Sequence, residues 1–233
     1  MIAGVDGCKA GWLVAMGEAW PCARPPALQV CLTFKAVLEA TAEFKAVVVD
    51  IPIGLPHDKK PRDCDITARK ALSPGGCSRV FPAPTRQALT ARDFAAFLSV
   101  QIGLTGKGLS QQAFHISPKI REVDAEMTWK LQGQVREFHP ELAWKSLAGR
   151  VLKSKHGRDG IAERLTVLAP SVPGLSVLAR VRDGGAVGVT DILDAIVGLS
   201  VAHGIASNPE YSHRLPSGTP SLDQHGLRME IWY

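Results

Sequence analysis

Short apolar blocks alternate with polar turns along this chain, and the first block stops abruptly at an acid. Residues 2–5 are apolar, Asp6 follows, "GCKAG" turns, and "GWLVAMG" resumes the apolar pattern. Two such runs around a glycine-flanked turn predict a β-hairpin. "ALQVCLTF" (27–34) predicts a third strand, and "FKAVLEATAEF" a short amphipathic helix. In "KAVVVDIPIGLP" a wholly apolar strand at 46–49 ends at Asp50. Its consecutive valines favour a central strand buried on both faces. Pro52 stops the ladder, because proline has no N–H to donate.

Residues 57–130 read as a largely helical insertion. "PRDCDITARKAL" and "TARDFAAFLSVQIGL" are two helices, and "QAFHISPKIREVDAEMTWKL" is a third, broken at Pro118. Strand character returns at 134–138 and closes at Pro140. "ELAWKSLAG", "GIAERLTVL" and "TDILDAIVGLSVAHGIA" are helices, with Thr190 the expected N-cap of the last. The tail "GLRMEIWY" ends in a strand. This order predicts an α/β layout on a mixed sheet, residues 1–233 forming one domain with an insertion at about 57–130.

Composition narrows the class. The chain has 233 residues, of which 45% are apolar and 21% charged, as expected of a globular protein with a real core. No run reads as a membrane span, and residue 1 leads directly into a strand rather than into a secretion signal. Five cysteines without CxxC spacing suggest neither a disulfide framework nor zinc, and fit a reducing cytoplasm. The net charge of +5 is compatible with a polyanionic partner. The most basic stretch, "RVLKSKHGRDG", carries Arg150, Lys153, Lys155 and Arg158 and reads as a solvated loop, with phosphate contact the alternative.

Carboxylates are the candidate chemistry. A strand-end acid such as Asp6 or Asp50 is costly unless it is hydrogen-bonded, paired or bound to a cation. Both strands can neighbour each other, so both acids can emerge at one edge of the sheet. Asp191 and Asp194 lie three apart on one helix face. Such a set offers oxygen ligands to a hard cation, Mg²⁺ or Mn²⁺. Each also has a plainer use: Asp6 as an Asx turn, Asp50 as a turn former, Asp191 as a favourable charge at a helix N-terminus. Glu137 is a further ligand candidate. His139 and His115, single histidines in apolar surroundings, read as hydrogen-bonded structural groups.

The blocks "GVDGCKAGW", "VVVDIPIGLP", "RDCDITARKAL", "RVFPAPTRQAL", "HISPKIREVD", "EFHPELAWKSLAG" and "DILDAIVGL" together resemble a microbial family, domain of unknown function 429, described as predicted ribonuclease-H-like nucleases. The resemblance covers nearly the whole chain. It implies a ribonuclease-H-like fold: a five-stranded mixed sheet with helices on both faces. It also implies carboxylates on the first strand (Asp6), on the fourth (Asp50) and on a late helix. There "DILDA" resembles the DxxD of Holliday-junction resolvases, at Asp191 and Asp194. The second acid is a glutamate in that branch and an aspartate here. The insertion exceeds a minimal nuclease and could serve as a lid or substrate platform.

The resulting expectation is metal-dependent phosphodiester hydrolysis. Two cations about 3.5–4 Å apart would share Asp6, with Asp50 on one and Asp194 or Asp191 on the other. Lys9, Arg62, Arg69, Arg79, Arg86 and Lys119 are phosphate-contact candidates, and the partner is nucleic acid, with a homodimer compatible and no membrane. Two alternatives stand beside it. One is a phosphotransferase or ATPase of the sugar-kinase and actin type, with Lys9 in the phosphate turn. The other is a non-catalytic binding protein on the same fold. At 6% aromatic content, no extensive base-stacking platform is evident.

Overall fold

In the computed structural model, residues 1–178, 185–208, 210–211 and 213–233 are described. The chain begins with β1 (Ile2–Cys8), β2 (Gly11–Gly17), β3 (Ala27–Cys31), α1 (Phe34–Ala40) and β4 (Ala46–Val49). Then come α2 (Asp63–Ala71), α3 (Phe94–Thr105) and α4 (Gln111–Glu126), followed by β5 (Val135–Glu137). The helices α5 (Pro140–Ala148), α6 (Arg158–Leu168), α7 (Leu175–Leu178) and α8 (Val189–Ser207) precede β6 (Arg214–Leu215) and β7 (Ile231–Trp232). Two compact units result. The first is Met1–Asp50, Gln134–Ser212 and Trp232–Tyr233; the second is Ile51–Gly133 and His213–Ile231.

The first unit is an α/β fold on a five-stranded mixed sheet in the order β3-β2-β1-β4-β5, consistent with the ribonuclease-H-like class. β1 runs antiparallel to β2 and parallel to β4, which runs parallel to β5. The two-residue turn between Cys8 and Gly11 closes the expected hairpin. Gly11 is required there: its φ is +135°, and a Cβ would lie 2.3 Å from Cys31 O. Helices cover both faces. Trp12 packs edge-on against Phe34 of α1 on one side. On the other, α8 lies over Ile2, Leu13, Ala15, Ala46 and Val48, with Trp144 of α5 beside it.

That last helix departs from the reading that no segment has the length of a membrane span. α8 is 19 residues long and apolar enough to cross one. Here its apolar surface is consumed by the sheet: Ile192 to Leu199 are all buried. Its N-cap is also not Thr190. The helix starts two residues earlier, at Val189 after Gly188, whose N–H donates to Asp191 Oδ2 at 2.9 Å. Asp191, at the third helical position, thus reaches back to the N–H of the cap residue.

The second unit is helical, as expected, but it is not a single insertion. The segment His213–Ile231 belongs to it as well. Asp223 ties that segment in, accepting from Leu55 N at 3.1 Å, Leu227 N at 2.9 Å and Arg86 Nη2 at 2.5 Å. Pro118 does not break α4, which runs through it. Proline removes one donor, and its exposed position leaves the orphaned carbonyl to water.

Candidate functional site

Register brings the first two acids together. Val5 pairs with Val49, and Asp50 N donates to Val5 O at 3.0 Å, so Asp6 and Asp50 are the next positions along adjacent parallel strands. Alternation puts Asp6 on the face of Ile2 and Gly4, and Asp50 on the face of Ala46 and Val48. That is the α8 face for both. The helix comes unusually close at this point. A Cβ on Gly4 would sit 2.1 Å from Ala195 O and 2.9 Å from Gly198 Cα. Asp194 precedes Gly198 by one turn, so the crossing delivers it beside Asp6.

Charge records the proximity. Asp6 is raised well above the ordinary carboxylate range, first by burial, then by the charges of Asp50 and Asp194, with Asp191 adding a smaller push. Asp50 is raised to about 6, chiefly by burial. The neighbouring His139 and the positive charge of Lys155 work the other way, while Asp194 and Glu141 add to the rise.

The oxygens are not equally available. Asp194 is fully buried, with Oδ1 accepting from Trp144 Nε1 at 2.8 Å and Oδ2 from Lys155 Nζ at 2.6 Å. Asp6 Oδ1 accepts from Gly7 N at 2.8 Å. Asp191 is occupied as the helix cap described above. Among the described residues no three His, Cys, Asp or Glu side chains stand in a ready ligand cage. A hard cation held by Asp6 and Asp50 fits this donor set, since Mg²⁺ is commonly bound through one or two carboxylates with waters and substrate phosphates completing its shell. A second cation on Asp194 does not fit, because the ammonium of Lys155 holds the oxygen it would need.

Residues 4–219 match a protein-family model described as a protein of unknown function (DUF429). The chain belongs to that family. No curated protein and no solved structure is matched. The DUF429 match takes in β2 to β5, most of β1, α8 and most of the second unit, so the carboxylate cluster lies within it.

Several expected members lie elsewhere in this DUF429 chain. Glu137 is in register with Val49, which puts it on the sheet face opposite Asp50. The glutamate that reaches Asp50 electrostatically is Glu141, in the first turn of α5 and ion-paired to the buried Arg164 at 2.6 Å. Lys9 is exposed at the hairpin turn, and its N–H is committed to Ala186 O. Arg62, Arg69, Arg86 and Lys119 belong to the second unit. Arg62 is buried, donating to Cys64 Sγ from Nε and Nη2, to Gly54 O from Nη1, and pairing with Asp65 at 3.1 Å. Arg86 grips Asp124 with two bonds and also reaches Asp223. Both are internal braces rather than substrate contacts. Arg69 Nη1 donates to Val80 O, and Lys119 is half-buried on α4.

Lys155 and Trp144 were not singled out by the sequence. Lys155 sits in a stretch with three other cations, and its spacing does not mark it out. Lys153, two residues earlier, pairs with the exposed Asp159 at the surface. Only the fold of the loop turns one lysine inward.

Proposed function

We propose that this protein hydrolyses phosphodiester bonds in nucleic acid with the help of a divalent metal, Mg²⁺ or Mn²⁺. The observation that carries the reading is the placement of Asp6 and Asp50 in register on one face of adjacent strands, beside Asp194. Asp6 and Asp50 would hold the cation, which supplies Lewis acidity toward a phosphoryl oxygen and lowers the pKa of bound water. Burial and mutual repulsion hold these carboxyls above their ordinary pKa, so a bound cation favours their ionised form. His139 approaches Asp50 from the N-terminus of α5, with its Nδ1 buried and without a hydrogen-bond partner. It is the group placed to orient Asp50 or take a proton near it. Lys155 supplies a fixed positive charge to the same face.

A cytoplasmic location is the reading supported by five cysteines that form no disulfide. The proposal is tested with a panel of duplex, single-stranded and branched DNA and RNA, incubated with Mn²⁺ beside labelled ATP. Cleavage of one substrate class, lost in Asp50→Asn, is the expected result. Tight ATP binding that weakens in Lys9→Ala, with every polynucleotide intact, would replace this reading with a phosphotransferase.

A further inference from the structure

We propose that Lys155 stands in for a second metal ion, so that the acidic cluster takes a single divalent cation and Asp194 serves the lysine rather than the metal. This rests on the metal-site reading above and specifies its composition. Both oxygens of Asp194 are engaged: Oδ1 accepts from the indole N–H of buried Trp144, and Oδ2 from the Lys155 ammonium. The Asp194 side chain is fully buried, whereas that of its partner Lys155 is about one-third exposed. The charge of Lys155 also acts on Asp6 and Asp50, so it lies among all three acids and not only against its partner.

The loop that carries Lys155 is pinned and not a loose surface strand. Lys153 N donates to Glu163 Oε2 at 2.7 Å, and Lys153 O accepts from Arg164 Nη1 at 2.9 Å. Arg164 is itself anchored on Glu141 and on Gly160 O. Next to it, Ser154 O packs so tightly on α6 that a Cβ at Gly160 would lie 2.0 Å away. The backbone on the N-terminal side of Lys155 is therefore held at two successive residues. Charge balance agrees. Three carboxylates (Asp6, Asp50, Asp194) against one ammonium leave two negative charges when all are ionised, which one divalent cation neutralises.

The test is the number of Mn²⁺ ions bound, measured without substrate by calorimetry and by electron paramagnetic resonance. Wild type and Lys155→Arg are expected to bind one ion. Lys155→Met, which keeps the stem but removes the charge, is expected to bind two, with spin coupling between them. Asp50→Asn is expected to bind none. Melting curves of each variant establish that it is folded, and Lys155→Arg remains informative if Lys155→Met is not. Two ions in wild type would overturn the role of Lys155 and leave the metal site standing. One ion in wild type and two in Lys155→Met, with no polynucleotide cleaved, would uphold Lys155 and remove the nuclease reading, whereas one ion in both would overturn the role of Lys155. No ion bound by wild type and Lys155→Met alike would overturn both.

Discussion

Gly4 of β1 and Gly198 of α8 meet backbone to backbone: a Cβ on Gly198 would lie 2.9 Å from Gly4 Cα, and one on Gly4 would lie 2.1 Å from Ala195 O. Two residues beyond Gly4 is Asp6, and one turn before Gly198 is Asp194. The acidic cluster is thus spaced by a contact made without side chains. Larger residues at either glycine would push the helix off the sheet and separate the carboxylates.

Gly4→Ala should therefore cost about 1–3 kcal/mol or more, as overpacking of a closed core does. Chemical denaturation would read the loss. Mn²⁺ stabilisation should shrink with it, because the helix and strand no longer hold the acids together. A Gly4→Ala protein as stable as wild type would mean that α8 sits farther from β1 than described.

Stability should fall as pH rises through the titration of the cluster. Asp6 and Asp50 hold protons more tightly folded than unfolded, so their contribution is present below the ordinary value of 3.8 and is lost through the folded pKa, about 6 for Asp50. Metal-free protein should melt on the order of 5 °C lower at pH 7 than at pH 4.5 from this cluster. Mn²⁺ favours the ionised acids, so its stabilising effect should be larger at pH 7. Melting curves at the two pH values, with and without Mn²⁺, measure both effects, and a metal-free melting temperature that rises toward pH 7 would refute the assignment.

Asp50→Asn should separate stability from activity. It removes a buried, repelled carboxylate, so metal-free protein at pH 7 should gain about 0.5–2 kcal/mol, the usual scale when a functional strain is relieved. Phosphodiester cleavage and Mn²⁺ stabilisation should both disappear. A variant that loses stability and keeps its Mn²⁺ response would show that Asp50 is a structural turn former.

Arg86→Ala should unfold the second unit rather than weaken a substrate. It takes the guanidinium from Asp223, whose side chain is fully buried, and from Asp124, whose side chain is only 12% exposed. Breaking a buried pair from one side costs about 3–5 kcal/mol. Arg86→Lys should recover only part of this, because an ammonium cannot make the forked contact to Asp124 while reaching Asp223. Differential scanning calorimetry gives the loss directly; an unchanged transition would return Arg86 to the list of surface cations.

Local patterning determined much of the first unit. The valines of β4, the hairpin around Lys9 and Ala10, and the amphipathic run of α1 each carry their own signal within a few residues, so the strands holding Asp6 and Asp50 were legible. That both could emerge at one edge was legible too, but their shared face rests on the register of β1 against β4. Glu137 was misplaced for the same reason: its face depends on the register of β5 against β4, and a slip of one residue inverts it. Arg86 read as a phosphate contact, since a sequence does not reveal a buried acid 137 positions away such as Asp223. Lys155 was hidden among like charges until the α5–α6 loop folded over Asp194. Short-range periodicity fixes which element forms and which residues share its face, whereas the partner of a charge is chosen by contacts between segments far apart in the chain. For this protein the sequence determined where the acids stand, and the tertiary structure decided which cation meets them.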